Sequence, residues 1–259
     1  MTLGRARNAG LLMVTLALAA VPTRGLRAET LAFSDVSARV VLGLRVPETA
    51  LRRWLPNGWQ LSPVGAGPSK GANLVVGFVD RMLHLDPAGQ LIGGGVDRFV
   101  GLVIPAKGPG VEKPVSLVIR IYQNAGMLPG AYKNTRAASI KREHSGVGAN
   151  TSPSDGSESW EVSDGAGGAI ALRFTFRGGT PVRTKQELPY YSAVEPAFYR
   201  IYRFQQGADV VRSTVTGVDR VQGLQLTVTV PELREMFDGN QELTSIAVVP
   251  WNSRQVFLP

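Results

Sequence analysis

Residues 170–177 read IALRFTFR, and this stretch decides the class of fold. Its apolar side chains, Ile170, Leu172, Phe174 and Phe176, occupy every second position, with smaller or polar side chains between them. A period of two places the apolar residues on one face of an extended chain, as in an antiparallel strand that is buried on one side. The stretch therefore predicts a β-strand whose inner face packs on a core.

The same alternation recurs along most of the chain, whereas helical patterns are confined to two short segments. Further strands are predicted at residues 39–46, 74–82, 99–104, 115–123, 137–143, 197–204, 209–216, 224–230 and 245–249, and helices at residues 47–55 and 231–237. Residues 146–168 are rich in Gly, Ser, Asp and Asn, which predicts a long exposed loop or a flexible hairpin tip. No repeat or linker divides residues 29–259, so they are predicted to form one mainly β (α+β) domain.

Residues 1–28 have the pattern of an export signal. Arg5 and Arg7 precede an apolar run at residues 9–21, and Ala28 ends a small-residue cleavage site. The run is too short to span a bilayer comfortably. The sequence therefore predicts an exported protein, periplasmic or secreted, with no membrane span once the signal is removed.

Charge and composition narrow the range of partners. The net charge is +8, and it falls to +4 without residues 1–28, which hold four arginines and no acidic residue. The other basic residues are interspersed with acids, so no nucleic-acid partner is predicted. The chain has no cysteine, and its two histidines, His84 and His144, lack a metal-binding spacing. No metal or other cofactor is predicted.

A lysine follows a turn close to the most apolar predicted strand. Residues 128–134 read LPGAYKN and come shortly after the strand at residues 115–123. A lysine held at such a turn can reach a core, where loss of hydration lowers a lysine pKa and leaves an amine that attacks carbonyls. The alternative is a solvated turn lysine, which is the commoner case. Lys133 is the candidate catalytic residue.

Three segments together resemble the acetoacetate decarboxylase-like superfamily in order and spacing. Residues 44–56, LRVPETALRRWLP, resemble its opening strand, helix and proline, and residues 103–106, VIPA, resemble its strand ending in Ile-Pro. Lys133 falls about where the family carries its Schiff-base lysine. The chain is thereby identified as resembling a divergent, exported member of that superfamily.

The resemblance implies both a fold and a reaction. The implied fold is a strongly curved, mostly antiparallel sheet that closes into a cone or barrel, with short helices outside and a small apolar cavity around the lysine. The implied activity is that of a carbon-carbon lyase, in which Lys133 would form a Schiff base with a small keto acid or ketone. A fold likeness alone does not carry the reaction with it.

The chain departs from the family at the implied site. The decarboxylases have two adjacent lysines, whereas Asn134 follows Lys133, so the neighbouring charge is missing. Gly77 and Phe99 stand at the positions of the family's glutamates. The remaining candidates for substrate binding are Asp97 and Arg98 beside Phe99, Arg120 as a further cation, Tyr132 before the lysine, and Arg39 as the N-terminal arginine.

Aromatic residues support a second hypothesis. Six of them lie within fifteen residues, where they could line one wall of a cavity or simply pack in the core: Tyr190, Tyr191, Phe198, Tyr199, Tyr202 and Phe204. Two functions therefore stay open, a Schiff-base enzyme and a non-catalytic barrel that binds a small apolar or carboxylated molecule. The predicted partner is a small molecule, and self-association into a homo-oligomer is left open.

Overall fold

The computed structural model describes residues 28–124, 126, 128–148 and 153–259, and strands predominate throughout them. Helix α1 spans Glu48–Arg52, and a 3₁₀ helix spans Pro231–Leu233. The strands are β1 Thr30–Arg45, β2 Gln60–Leu61, β3 Leu74–Leu85, β4 Asp97–Lys107, β5 Val115–Gln123, β6 Thr135–Ala137, β7 Ser139–Val147, β8 Asp155–Ser163, β9 Ala169–Phe176, β10 Val182–Ser192, β11 Tyr199–Ser213, β12 Val218–Asp219, β13 Val221–Val228 and β14 Glu242–Leu258.

Seven of the longer strands close into a barrel. They are joined in the order β4, β3, β1, β14, β11, β10 and β5, and β5 pairs back with β4. Neighbouring strands of the barrel are antiparallel except for β5 and β10, which are parallel. The predicted mainly β class and the curved, mostly antiparallel sheet that closes into a barrel are confirmed.

A second sheet, with strands in the order β13, β9, β8 and β7, packs against the outside of the barrel. IALRFTFR forms β9 as predicted, and its Leu172 is fully buried beside Trp160 of β8. The Trp160 ring lies 5.6 Å from the ring of Phe78 on β3. Helix α1 adds Ala50 and Leu51 to the same core. One face of the barrel strands is therefore part of this outer core, and the other face lines the barrel interior.

The prediction of a loop at residues 146–168 is wrong for most of the described part of this segment. β8 occupies Asp155–Ser163 and pairs on both sides, with β7 and with β9; residues 149–152 lie outside the described residues. Trp160 and Val162 enter the core, while Ser, Glu and Asp occupy the alternate positions. The composition of β8 indicated a loop because its outward face is so polar. Pairing on both edges nevertheless makes it a strand.

Other predicted boundaries also differ from the structure. The helix at residues 231–237 is only the 3₁₀ turn Pro231–Leu233 followed by turns, and the segments at 197–204 and 209–216 belong to one strand, β11. β10 was not predicted because its first half, VRTKQE, carries little apolar signal. Its pairing with β11 supplies the stability that its composition lacks.

The predicted export signal occupies residues 1–28, of which residues 1–27 lie outside the described residues. Export therefore stays a prediction. In the part of the chain that the structure describes, no helix is long and apolar enough to cross a membrane.

Candidate functional site

The polar residues of β1 face the inside of the barrel. Val40 and Leu42 are fully buried in the outer core, whereas Asp35, Ser37 and Arg39 lie on the opposite face of the strand. Alternation along an extended chain produces this division. Charged groups are seldom buried without partners, so an interior of this kind needs a polar network.

Two buried carboxylates and two buried guanidinium groups form the base of that network. The Oδ2 atom of Asp35 lies 2.6 Å from Nε of Arg254 and 3.3 Å from Nε of Arg81. Nη1 of Arg81 lies 2.9 Å from Oδ2 of Asp97. Burial raises the pKa of Asp97, although the nearby Arg81 acts in the opposite direction. These pairs join β1, β3, β4 and β14 inside the barrel.

Arg39 is another interior guanidinium, and its nearest carboxylate among the described residues is that of Asp35, 4.0 Å away. Its Nε donates to Oγ of Ser37 at 3.0 Å, and its Nη2 donates to Oδ1 of Asn252 at 2.6 Å. Nδ2 of Asn252 in turn donates to Oε1 of Gln206 at 3.1 Å. The contact between Arg39 and Asp35 is 4.0 Å long, and the Arg39 side chain is 12% exposed. Arg39 is thus held in place mainly by neutral groups.

The interior carries an excess of positive charge. Among the described residues, the interior holds four guanidinium groups, those of Arg39, Arg81, Arg200 and Arg254, and two carboxylates paired with them, those of Asp35 and Asp97. Burial, and next the positive charge of Arg254, lowers the pKa of Arg39 to about 9. A lowered arginine pKa means that the cation is less stable here than in water. A bound anion would restore the balance.

Aromatic rings surround the guanidinium groups. Cζ of Arg254 lies 5.0 Å from the ring centre of Tyr202, and Cζ of Arg81 lies 5.1 Å from that of Phe99. The Tyr132 hydroxyl donates to the Tyr202 hydroxyl at 3.0 Å. Such cation–π contacts stabilise a charge that has been removed from water.

The six aromatic residues divide into two packed groups, and the cavity wall suggested for them stays a prediction. Tyr190, Phe198, Tyr202 and Phe204 belong to the interior cluster. The other two aromatic residues, Tyr191 and Tyr199, stack on each other at 4.6 Å, and Tyr191 also contacts Trp59 of the outer core. Strand alternation separates the two groups, because neighbours along a strand point to opposite faces.

One part of the interior is accessible to solvent. In the row of residues next to Arg39, Val41 on β1 lies opposite Gly77 on β3, which lies opposite Gly101 on β4. All three are only partly buried, whereas Phe78, which follows Gly77, is fully buried in the outer core. We refer to this solvent-accessible part of the interior, next to Arg39, Val41, Gly77 and Gly101, as the chamber.

The structure places Lys133 at the surface. Its φ of 60° lies in the left-handed region, which non-glycine residues seldom adopt, and its amide donates to the Gly130 carbonyl at 3.2 Å. On either side, Tyr132 and Asn134 are buried, and Asn134 donates to the Val118 carbonyl at 2.7 Å. Tyr132 is therefore the residue of this turn whose side chain enters the barrel.

Two other predicted binding residues point away from the interior. Nε of Arg98 lies 3.0 Å from Oδ1 of Asp80, and Nη2 of Arg120 lies 2.6 Å from Oε2 of Glu232. A β-bulge in β5 lets Val118 face inward and turns Arg120 outward. The structure brings Arg39, Asp97 and Tyr132 into the interior, and it does not bring Arg98, Arg120 or the Lys133 side chain there.

Sequence reasoning missed three interior residues, Asp35, Arg81 and Arg254. Asp35 lies before the predicted start of its strand, and Arg254 lies beyond the predicted end of β14. Arg81 was within a predicted strand, two residues after Val79. The alternation therefore placed this charged side chain on the same face as an apolar one, and that was the available signal. Charge at an apolar position could have indicated an interior network.

A groove of about 570 Å³ lies along β1, β14, β11 and β10, and its lining includes two residues of the interior, Phe204 and Arg254. Glu187 and Arg203, both exposed, form an ion pair of 2.6 Å there, so these opposite charges already neutralise each other. We therefore place the candidate site in the barrel interior. Within the described ranges, no three His, Asp or Glu side chains are grouped as metal ligands would be. The groove is lined by Ser34, Lys185, Gln186, Glu187, Arg203, Phe204, Gln205, Ser253, Arg254 and Gln255.

His84, at one end of the interior, predicts a pH effect on stability. Its Nδ1 lies 3.0 Å from Nη1 of Arg81, and burial, followed by that charge, lowers the pKa of His84 from 6.5 to about 4. As the pH falls from about 6.5 to 4, the unfolded chain binds this proton first, so the folded state loses stability. We expect the free energy of unfolding, measured in urea, to fall less between pH 7 and pH 5 for His84→Gln than for the unsubstituted protein.

The exposed His144 provides the matched control for this experiment. His144→Gln should keep the full dependence on pH. A His84→Gln protein whose stability changes with pH as steeply as that of the unsubstituted protein would contradict the assignment.

Comparisons with known proteins address the fold. No protein-family model matches the chain, and no curated protein matches it. The enduracididine biosynthesis enzyme MppR, in a structure complexed with pyruvate, is similar with a TM-score of 0.54 and 13% identity over 96% of each chain. An acetoacetate decarboxylase-like enzyme from Sphingomonas wittichii RW1 is similar with a TM-score of 0.54 and 10% identity over 88% of this chain and 91% of that chain. Identities this low show a shared architecture, and the chain thus has the acetoacetate decarboxylase-like fold that the sequence resemblance implied.

Proposed function

We propose that the protein binds a small carboxylate in the chamber, and that Arg39 holds the carboxylate group. The observation that carries this proposal is the uneven pairing of the interior charges. Arg81 and Arg254 have carboxylate partners within 3.0 Å, whereas Arg39 donates to neutral side chains and keeps access to solvent. A guanidinium presents paired N–H groups whose geometry matches a carboxylate.

The surroundings of Arg39 favour an anionic ligand. Much of the desolvation of Arg39 has already occurred in the folded protein, because its side chain is 12% exposed. Attraction between opposite charges is also stronger in such an interior than in water. MppR, which has the same fold, has been solved with pyruvate. That complex supports a small carboxylate as the class of ligand for this chain.

Calorimetric titration with pyruvate tests the proposal. We expect saturable binding of one molecule per chain. Pyruvamide has nearly the same shape and no charge, and we expect it to bind at least about tenfold more weakly, because a hydrogen bond to a charged group contributes about 1.5–3 kcal/mol. Equal affinity for pyruvate and pyruvamide, or no binding of pyruvate, would refute a carboxylate site.

A Schiff-base lyase that uses Lys133 on a small keto acid or ketone is the second candidate. The observation in its favour is the φ of 60° at Lys133, because strained backbone conformations occur often at functional sites. The exposure of Lys133 and the entry of Tyr132 into the barrel favour the binding function instead. For a lyase reaction, the Lys133 amine would have to reach a carbonyl group held near Arg39.

Reductive trapping separates the two candidates. The protein is incubated with pyruvate or acetylacetone, reduced with borohydride and mapped by mass spectrometry. Because Lys133 is exposed, we expect it to be labelled no more than the exposed Lys113. Labelling confined to Lys133, and lost in Lys133→Ala, would instead establish the lyase candidate.

A further inference from the structure

Gly77 and Gly101 lie directly opposite each other in the middle of β3 and β4. Glycine is unfavourable inside strands, because it loses more conformational freedom on folding and adds no side chain to the packing. Neither residue has the positive φ that would require glycine, and a Cβ atom added to either one would meet no atom of the described residues within 4 Å. Neither the backbone conformation nor close packing within the chain accounts for the two glycines.

A ligand that approaches the backbone would account for them. Glycine inside a strand often marks a place where a ligand comes close to the main chain. Gly77 and Gly101 are partly exposed and border the chamber, and Val41 lies opposite Gly77 on the neighbouring strand. Val41 is two residues from Arg39 on β1, and the rise of a strand makes this about 7 Å. The exposed backbone of Gly77 and Gly101 is therefore close enough to Arg39 for one short molecule to contact both.

The walls around the two glycines are apolar. Val41 lies beside Gly77 and Ile121 lies beside Gly101, so a single row crosses four strands. In the next row away from Arg39, Val75 lies opposite Val103, and both are partly buried. None of these six residues offers a polar side chain to a ligand.

We infer that the chamber takes a monocarboxylate with an apolar body, such as an alkanoate or an alkyl-substituted keto acid. The carboxylate lies on Arg39, and the apolar body lies over Gly77 and Gly101. A dicarboxylate would bring its second charge against the apolar Val75 and Val103, at a large desolvation cost. The inference rests on the proposed function, to which it adds the class of ligand.

A chain-length series tests the inference. The full-length protein is titrated with acetate, butyrate and hexanoate. Each buried methylene is expected to raise the affinity about fourfold, so hexanoate, which has four more methylenes than acetate, should bind about 250-fold more tightly when all four are buried. Adipate, with a second carboxylate, should bind at least about tenfold more weakly than hexanoate.

A side chain added at Gly101 tests where the apolar part of the ligand lies. Gly101→Val should lower the affinity for hexanoate by at least about tenfold and the affinity for acetate by less than about twofold, because only the longer chain lies over this position. Gly94→Val is the matched control, since Gly94 has no positive φ, leaves the same free space at Cβ and lies in the exposed β3–β4 turn. Gly77→Ala provides a second variant if Gly101→Val does not fold.

The outcomes separate the inference from the proposed function. Equal affinities along the series, or equal losses of acetate and hexanoate in Gly101→Val, would overturn the apolar chamber and leave the carboxylate site. Binding of 1-hexanol that Gly101→Val abolishes, without binding of any carboxylate, would overturn the carboxylate site and with it this ligand class. No binding of any of these probes would overturn both.

Discussion

Replacing Asp35 with asparagine is expected to lower the free energy of unfolding by about 3–5 kcal/mol, because it leaves buried guanidinium groups without their partner. The Asp35 side chain is completely buried and contacts Arg254 at 2.6 Å and Arg81 at 3.3 Å. Asparagine has almost the same volume, so the loss would come from charge and not from packing. Urea unfolding at neutral pH measures the change.

Two further variants make this result specific. Glu242→Gln removes the partner of Arg45 in an exposed pair of 2.9 Å, and its effect should stay below about 1 kcal/mol. Adding Arg254→Gln to Asp35→Asn should restore part of the lost stability, because fewer uncompensated cations remain. An Asp35→Asn protein as stable as Glu242→Gln would show that the interior pairs do not hold the fold together.

Arg39→Gln is expected to weaken pyruvate binding by about 10- to 100-fold, the loss that follows from removing a charged hydrogen-bond donor. Glutamine keeps most of the length and the polarity of the side chain but not its charge. Stability should stay the same or rise, because the substitution relieves repulsion between Arg39 and Arg254. Calorimetric titration and urea unfolding of the same protein separate the loss of binding from a loss of folding.

Two other arginines serve as controls. Arg45 lies at the exposed end of the same strand, and Arg45→Gln should leave the affinity unchanged. Arg200 lies in the interior, with Cζ 5.4 Å from the ring centre of Phe33. Arg200→Gln should lower the affinity for pyruvate less than Arg39→Gln does, because Arg200 would act only through its electric field. Equal losses in Arg39→Gln and Arg200→Gln would mean that Arg39 makes no direct contact with the carboxylate.

Local sequence patterns were enough to predict the class of fold. The period of two in IALRFTFR appears in the structure as β9, with Leu172 fully buried. Pro47 starts the short helix α1 as expected, and Ala50 and Leu51 bury their side chains. Such patterns are readable because burial of one face of a strand or helix requires the apolar spacing itself. Polar strands such as β8 escaped prediction because their partners, and not their own residues, make them strands.

The candidate site was only partly predictable, because a single shift in a strand reverses the direction of its side chains. Arg39 was placed near the site by its position in the chain, and the structure places it inside the barrel. Arg120 was predicted to supply a further cation at the site, but the bulge in β5 turns it outward to Glu232. At the predicted catalytic turn, Tyr132 enters the barrel and Lys133 stays at the surface.

The sequence by itself determined where most strands with an apolar face lie and which face is apolar, since both depend on neighbours within a few residues. The polar strands β8 and β10 depended on their pairing partners. Only the tertiary structure decided which charges meet. Asp35 and Arg254 stand 219 positions apart, and Asp35, Arg81 and Arg254 come together because β1 lies between β3 and β14 when the barrel closes. The same closure leaves Arg39 without a close carboxylate, beside two bare glycines. No local pattern encodes that arrangement, because it arises from pairings between distant strands.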